Sequence, residues 1–547
     1  MAFRNSFGEN IFRHKYGQDR FDRWDQLARV LVDDVCGTRG GTLPPILSKE
    51  LRDELTQIIA SMQFIPGGRY LYYAGRGLHA YNNCFLLRAE EDTREEWAEL
   101  MNRSMRCLML GGGIGTDYSR LREEGAPLKR TGGTASGPIP LMYAVNEVGR
   151  NVKQGGSRRS AIYASLNWRH PDARKFLVAK NWDEIFIGSS GMTLWDAKQQ
   201  DFNYPAPLDM TNVSLNYDDA WLNMPNRELD ETFLKNVEQA LRTGEPGFSF
   251  NFGNKQNETL RNACTEVTSE DDSDVCNLGS VNLSRIENVA QLRRVTYLAG
   301  MFLVCGTLRA DLPYEKVKLV REKNRRLGLG FMGAHEWLLK RGYRYEVTPE
   351  LHTWLQAWKE ESELGANELC DRLGINRPVA YRAIAPTGTI GTLAGTTTGI
   401  EPLYAVAYKR RYLVGTTWKY EYVVDAIAET LVREGIDPDS IETANDLALD
   451  YERRLAFQAD VQDYVDQAIS STINMPGWGT AGNNSDQVRD FARVLAKYAP
   501  RLRGFTVYPD GSRGGQPLVQ VPYAEAAYSR GVVFEENDSC VGGVCGI

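Results

Sequence analysis

Residues 261–284, RNACTEVTSEDDSDVCNLGSVNLS, constrain this chain more than any other stretch. An amide, a thiol and a carboxylate stand at alternate positions, Asn262, Cys264 and Glu266, and a second cysteine, Cys276, follows twelve positions after the first. Alternate side chains of an extended segment share a face, so the spacing predicts one strand face carrying all three groups within a few ångströms. On such a face Glu266 could move a proton, Asn262 could orient a hydroxyl, and Cys264 could act as nucleophile or radical. An ordinary extended segment around a buried cysteine gives the same letters, because free cysteine is among the most buried residue types.

Composition removes whole classes of function. With 64 basic and 71 acidic residues the net charge is −7, so electrostatics give no reason to expect nucleic acid as a partner. No run approaches the ~18 apolar residues of a membrane span. The N-terminal MAFRNSFGENIFRHKYG lacks an apolar signal core. The expectation is a cytoplasmic protein with no membrane partner. Nine cysteines at scattered spacings fit a reduced compartment better than a disulfide scaffold, which puts thiol chemistry foremost. Five histidines show no metal-binding spacing; His170-Pro171-Asp172 reads as a helix start, and no protein-held metal is expected. The 547 residues suit three or four units of ~150 residues, or one large α/β barrel.

Residues 1–80 carry helical spacing in Trp24, Leu27, Leu31 and Val32 and again in Leu51, Leu55, Ile58 and Ile59, around a turn-rich connector at 37–45. The Tyr72–Tyr73 pair reads as core lining, with a redox pair as the sharper alternative. A short apolar strand around Cys84 is followed by an acidic helix, then by Gly111, Gly112, Gly113 and Gly115. Glycines so dense let something approach the backbone closely. A phosphate would fit, although no Gly-Lys pair exists to make a Walker loop. Between 119 and 160 glycine turns alternate with arginines, suited either to nucleotide phosphates and bases or to a solvated loop. Gly328–Gly333 spells G-x-G-x-x-G, but the charged run 321–326 stands where a dinucleotide fold needs a buried strand. Close helix packing is the expected use of those glycines. The turn Pro386, Thr387, Gly388, Thr389, Ile390 offers hydroxyls and open N–H groups to an anion. The C-terminal FEENDSCVGGVCGI carries Cys540 and Cys545, which read as a mobile redox pair. Cys36, Cys107, Cys305 and Cys370 read as core.

Taken together, Cys84, the 111–115 loop, 154–159, Asn262-x-Cys264-x-Glu266, Cys276-Asn277-Leu278-Gly279, 386–390 and the paired tail cysteines resemble the catalytic (large) subunit of ribonucleotide reductases. The resemblance runs over nearly the full length beyond about residue 60. It implies a ten-stranded α/β barrel with a central finger loop carrying Cys264, over 81–525. A small helical region (1–80, without an ATP cone) would precede it, and a flexible redox-active tail (526–547) would follow. By carry-over, Cys264 becomes a thiyl radical that takes the 3′ hydrogen of the ribose, Glu266 takes the 3′-hydroxyl proton, and Asn262 holds a sugar hydroxyl. Cys84 and Cys276 reduce the sugar and become a disulfide, which Cys540 and Cys545 re-reduce. The 386–390 turn, with Gly112 and Gly113, would hold the substrate phosphates.

The resemblance also bears on the radical's source. Class I enzymes receive it from a separate metal-containing subunit through a tyrosine pair, where this chain has only Tyr508 followed by Pro509. The wording TVYPDGSRGGQ is similar to class II enzymes, which use adenosylcobalamin; class I with a radical-generating small subunit is the alternative. A specificity loop at Gln154 and Arg158, with Glu91, Asp92 and Arg120 nearby, would bind deoxynucleotide or ATP effectors. A homodimer and a thioredoxin- or glutaredoxin-like reductant are the expected partners. Two rivals are a dehydrogenase built on Gly328–Gly333 and a non-catalytic nucleotide-binding relative.

Overall fold

The computed structural model describes residues 3–129, 132–152, 160–201, 203–414, 417–512, 518–529 and 533–535. Its centre is a ring of strands. The first half is β1 (Cys84–Arg88), β2 (Gly113–Asp117), β3 (Ile162–Asn167), β4 (Thr211–Tyr217) and β5 (Gly247–Phe250), each parallel to the next. The second half is β6 (Asp274–Asn282), β7 (Leu327–Met332), the stretch 382–384, β8 (Thr472–Met475) and β9 (Gly504–Pro509). Here β6 and β7 are parallel, Leu329 bridges to Arg382, Ile384 bridges to Ile469 just ahead of β8, and β8 is parallel to β9. The halves meet antiparallel at β1–β6 and β5–β9. The path returns to its start, a ten-membered α/β barrel when 382–384 is counted as a strand.

Parallel neighbours need crossover connections, and helices such as Arg94–Leu110, Ile139–Asn151 and Glu231–Thr243 provide them. The strands alternate accordingly. Ile114, Leu215, Phe248, Phe505 and Val507 face outward into one core with Val237, Leu241, Phe491 and Leu495 of the surrounding helices. The opposite faces carry Leu86 and Tyr163 among small or polar residues, Cys84, Gly113, Gly115, Ser165, Asn212, Ser214 and Ser249.

The two N-terminal helices form where the spacing predicts, Trp24–Cys36 and Lys49–Ala60, the second capped by Ser48. They join the long helices Val289–Arg309 and Pro349–Leu373 in a second core, while Phe64–Pro66 adds a strand to β6 outside the ring. Tyr73 is buried, its ring edge-on to Tyr72 at 5.0 Å. Cys36, Cys107, Cys305 and Cys370 are buried, as expected of core residues.

A four-stranded antiparallel sheet was not legible beforehand. The hairpin Ala407–Val414 and Thr417–Val424 is flanked by Leu518–Gln520 on one side and Val533–Glu535 on the other. Residues 523–535 thus contain a helix, Tyr523–Tyr528, and a paired strand. Cys540, Cys545, Gln154 and Arg158 lie outside the described residues. Among the described residues no helix is long and apolar enough to cross a membrane.

Candidate active site

The central stretch enters the barrel as a hairpin, Leu260–Arg261 paired antiparallel with Thr268–Ser269. Its tip, 262–267, is a turn and not the extended strand that alternate spacing suggested. Thr265 stands at φ +70°, and its N–H bonds to the Asn262 carbonyl at 3.0 Å. A β-branched residue is rarely found in that region, so the tip is a strained turn held by its surroundings. The three motif residues therefore do not share one face: Cys264 is exposed, whereas Asn262 and Glu266 are each 1% exposed. Asn262 closes the turn by accepting from Val267 N–H at 2.9 Å and donates its Nδ2 to Cys84 Sγ at 3.0 Å.

The barrel wall holds this tip from several sides. A Cβ on Gly115 would lie 1.7 Å from the Arg261 carbonyl oxygen, and one on Gly113 would lie 3.4 Å from Ala263 Cβ. The close approach that the glycine run permits is thus that of the loop itself; Gly112 meets the Phe85 ring. Asn212 Nδ2 donates to the Ala263 carbonyl at 3.1 Å, Ala468 N–H to that of Glu266 at 2.8 Å, and Thr268 N–H to Gln467 Oε1 at 3.3 Å. Below, Glu258 pairs with Arg503 at 3.1 Å. Burial opposes its charge, but Arg503, Lys255 and Arg326 prevail and bring its carboxyl down to about 2.

Cys84 and Cys276 are directly opposite each other on β1 and β6. Such pairs have Cα atoms about 4.5–5.5 Å apart, within the range a disulfide spans. A Cβ on Gly328 would come within 3.1 Å of Cys276 Sγ. The G-x-G-x-x-G glycines therefore do not serve helix packing: Gly328 and Gly330 lie on β7, and Gly328 gives the thiol its space.

Burial sets the protonation of the site. It lifts the Glu266 carboxyl to about 7, against the hydrogen bond from Asn262, and leaves Glu266 Oε2 without a hydrogen-bond partner. It also pushes the Cys84 thiol well above its ordinary range, helped by Glu266, Cys276 and Cys264 close by. Cys276 is pushed the same way by burial, against the pull of Arg326. Both wall cysteines keep their hydrogens at neutral pH, as suits hydrogen donors better than nucleophiles.

The Thr/Gly turn adjoins these thiols. Ala385 belongs to one small buried cluster with Cys84, Leu86, Leu260, Val267, Cys276 and Leu278. Beyond it Pro386 and Gly388 are exposed, Gly388 facing open space. Thr387 takes φ +52° and accepts from Gly399 N–H at 2.8 Å; Ile390 is buried beneath. Lys15 Nζ donates to Thr389 Oγ1 at 3.2 Å. Away from this centre, Asp92 accepts from Arg122 N–H at 3.0 Å, Arg120 pairs with Glu90 at 2.8 Å, and Glu91 is exposed.

Residues 82–243, 223–353 and 374–508 match the family described as "Ribonucleotide reductase, barrel domain". The chain belongs to that family. Among curated relatives, the "Vitamin B12-dependent ribonucleoside-diphosphate reductase" of Mycobacterium tuberculosis (strain ATCC 25618 / H37Rv) is 28% identical over 546 residues, covering 87% of this chain and 72% of that protein. The protein of the same name from Thermoplasma acidophilum is 27% identical, covering 93% and 71%. The "Ribonucleoside-diphosphate reductase subunit alpha" of Chlamydia muridarum is 24% identical, covering 53% and 32%. Ribonucleotide reductase motifs pointed to the loop and the thiols but not to Asn212, Gln467 or Arg503, which hold the loop through isolated contacts from distant parts of the chain, nor to Arg261, whose partners on and after β5 are likewise remote in sequence.

Proposed function

We propose that this chain is a ribonucleotide reductase of class II, replacing the 2′-hydroxyl of ribonucleotides by hydrogen with adenosylcobalamin as radical source. One observation carries the chemistry: an exposed thiol, Cys264, stands on a turn whose Asn262 touches one member of an opposed pair of buried, protonated thiols. Bound in this chain, adenosylcobalamin would supply the radical source from which the Cys264 thiol is activated.

The inward faces of β8 and β9 suit such a group. Thr472, Asn474, Thr506 and Tyr508 are half-buried there, Thr472 and Thr506 sharing a hydrogen bond of 2.9 Å, and they would hold the cofactor. The B12-dependent relatives, matched over 87% and 93% of this chain, support this class over class I, and so does Pro509 where a second tyrosine of a relay would stand.

Cys264, lacking its hydrogen, takes the 3′ hydrogen of the ribose while Glu266 accepts the 3′-hydroxyl proton. The 2′-hydroxyl leaves as water. Cys84 and Cys276 give two hydrogens to the sugar and become a disulfide, and Cys264 returns its hydrogen to C3′. The sum is ribonucleotide plus two thiols to deoxyribonucleotide, water and disulfide. Substrate phosphates bind at Pro386, Thr387, Gly388, Thr389 and Ile390. Cys540 and Cys545 pass electrons from a thioredoxin- or glutaredoxin-like protein. Deoxynucleotide or ATP effectors act through Glu91, Asp92, Arg120, Gln154 and Arg158 in a cytoplasmic homodimer. Turnover of ribonucleotides by the purified chain with a dithiol tests the reading: it requires adenosylcobalamin. Turnover that instead awaits an added metal-containing subunit assigns the chain to class I.

A further inference from the structure

Arg261 lies outside the Asn-x-Cys-x-Glu motif, at the base of the loop tip, and is 1% exposed. Its guanidinium makes five hydrogen bonds, all to uncharged oxygens. Nε donates to Ser249 Oγ at 3.1 Å, Nη1 to the Thr265 carbonyl at 3.4 Å, and Nη2 to Asn251 Oδ1 at 3.0 Å and to the carbonyls of Phe250 at 3.3 Å and Arg503 at 2.6 Å. Ser249 and Phe250 end β5, Asn251 follows it directly, and Arg503 immediately precedes β9. One planar fork thus ties the residue next to Cys264 to both strands of an antiparallel seam between the barrel halves.

Burying a guanidinium costs several kcal/mol before any partner is counted, and an apolar side chain of the same bulk would fill the volume without that cost. What arginine adds is direction: five donors in a fixed plane, which lysine lacks. The same burial, with Arg503 beside it, draws its pKa down to about 9.

We propose that Arg261 is a positioning residue that sets how far Cys264 projects toward the substrate; this rests on the reading of Cys264 as the radical-bearing thiol. The measurement compares Arg261→Ala and Arg261→Lys with the parent chain in adenosylcobalamin-dependent turnover, with and without 20 mM guanidinium or ammonium chloride. The expected result is a fall in kcat of about 100-fold for Arg261→Ala with KM nearly unchanged, since misplacement of about 1 Å is enough for that. Guanidinium restores at least a tenth of the parent rate and ammonium does not. Arg261→Lys, which keeps the charge, stays at least tenfold down.

Two results overturn the proposal: a kcat within threefold of the parent in either variant, or a loss in Arg261→Ala that guanidinium leaves untouched. If Arg261→Ala does not fold, Arg261→Lys decides alone. A second readout needs no turnover. The rate at which iodoacetamide labels Cys264, followed by mass spectrometry, changes at least fivefold in Arg261→Lys if the arginine sets the thiol's exposure, and stays constant if it does not. A parent chain that labels normally but reduces no ribonucleotide refutes the catalytic reading and leaves the labelling comparison to judge Arg261.

Discussion

Glu266 gives the clearest predictions at the scale of single residues. Its carboxyl, lifted to about 7 by burial, must be ionised to accept a proton, so kcat should rise through about pH 7 to a plateau above it. A pH–rate profile checks this, and a profile flat from pH 6 to 8 refutes it. Stability runs the other way. A carboxyl whose folded pKa exceeds its unfolded value favours the fold fully below about 4.5, and that contribution is lost as pH rises through about 7. The difference amounts to roughly 3 kcal/mol at 1.36 kcal/mol per unit. Glu266→Gln should therefore abolish turnover yet melt above the parent at pH 8, the advantage vanishing below pH 4.5. Gly328→Ala is the matching test of the thiol pair. Its new methyl meets Leu278 and Cys276 Sγ, so the rate of re-reduction of the oxidised chain by a dithiol should fall severalfold. An unchanged rate means the pocket yields freely.

At the scale of elements, the finger loop works because the β2 wall beneath it lacks side chains. Gly115→Ala places a carbon where the Arg261 carbonyl already is. Loop displacement should lower kcat by about 100-fold while the barrel still melts cooperatively; activity near that of the parent would show the loop to be compliant. Asn212→Ala removes only one bond to Ala263, worth about 1 kcal/mol, and should cost far less. The same loop marks the limit of what the letters convey. Short-range spacing and residue type single out Asn262, Cys264 and Glu266, whereas Cys84 and Cys276 enter through the family resemblance, and the structure places these two thiols opposite each other with Asn262 on Cys84. The turn at Thr265 was not legible, since alternate spacing alone describes a strand equally well. Gly328 was misread because its reason, the sulfur of Cys276, sits 52 residues away in sequence. The hairpin sheet at 407–424 was missed for a similar cause: two of its four strands are three residues long and come from beyond residue 517.

At the scale of the molecule, a ten-membered barrel solves a problem that the chemistry sets. A reactive thiol has to stand away from bulk water yet remain open to substrate and cofactor. Two parallel halves joined antiparallel surround one hairpin, whose turn presents Cys264 above a buried cluster holding Cys84 and Cys276. The dithiol that accompanies it comes from the opposite seam, β1 against β6. The central claim, that this pair supplies the reducing hydrogens, is tested most directly in a single turnover. Cys540→Ser/Cys545→Ser chain, fully reduced and then freed of dithiol, is mixed with ribonucleotide and adenosylcobalamin, and product and disulfide are counted together. The account predicts one deoxyribonucleotide per chain and, by mass spectrometry, one Cys84–Cys276 disulfide for each. Product formed while Cys84 and Cys276 both remain free thiols would contradict it.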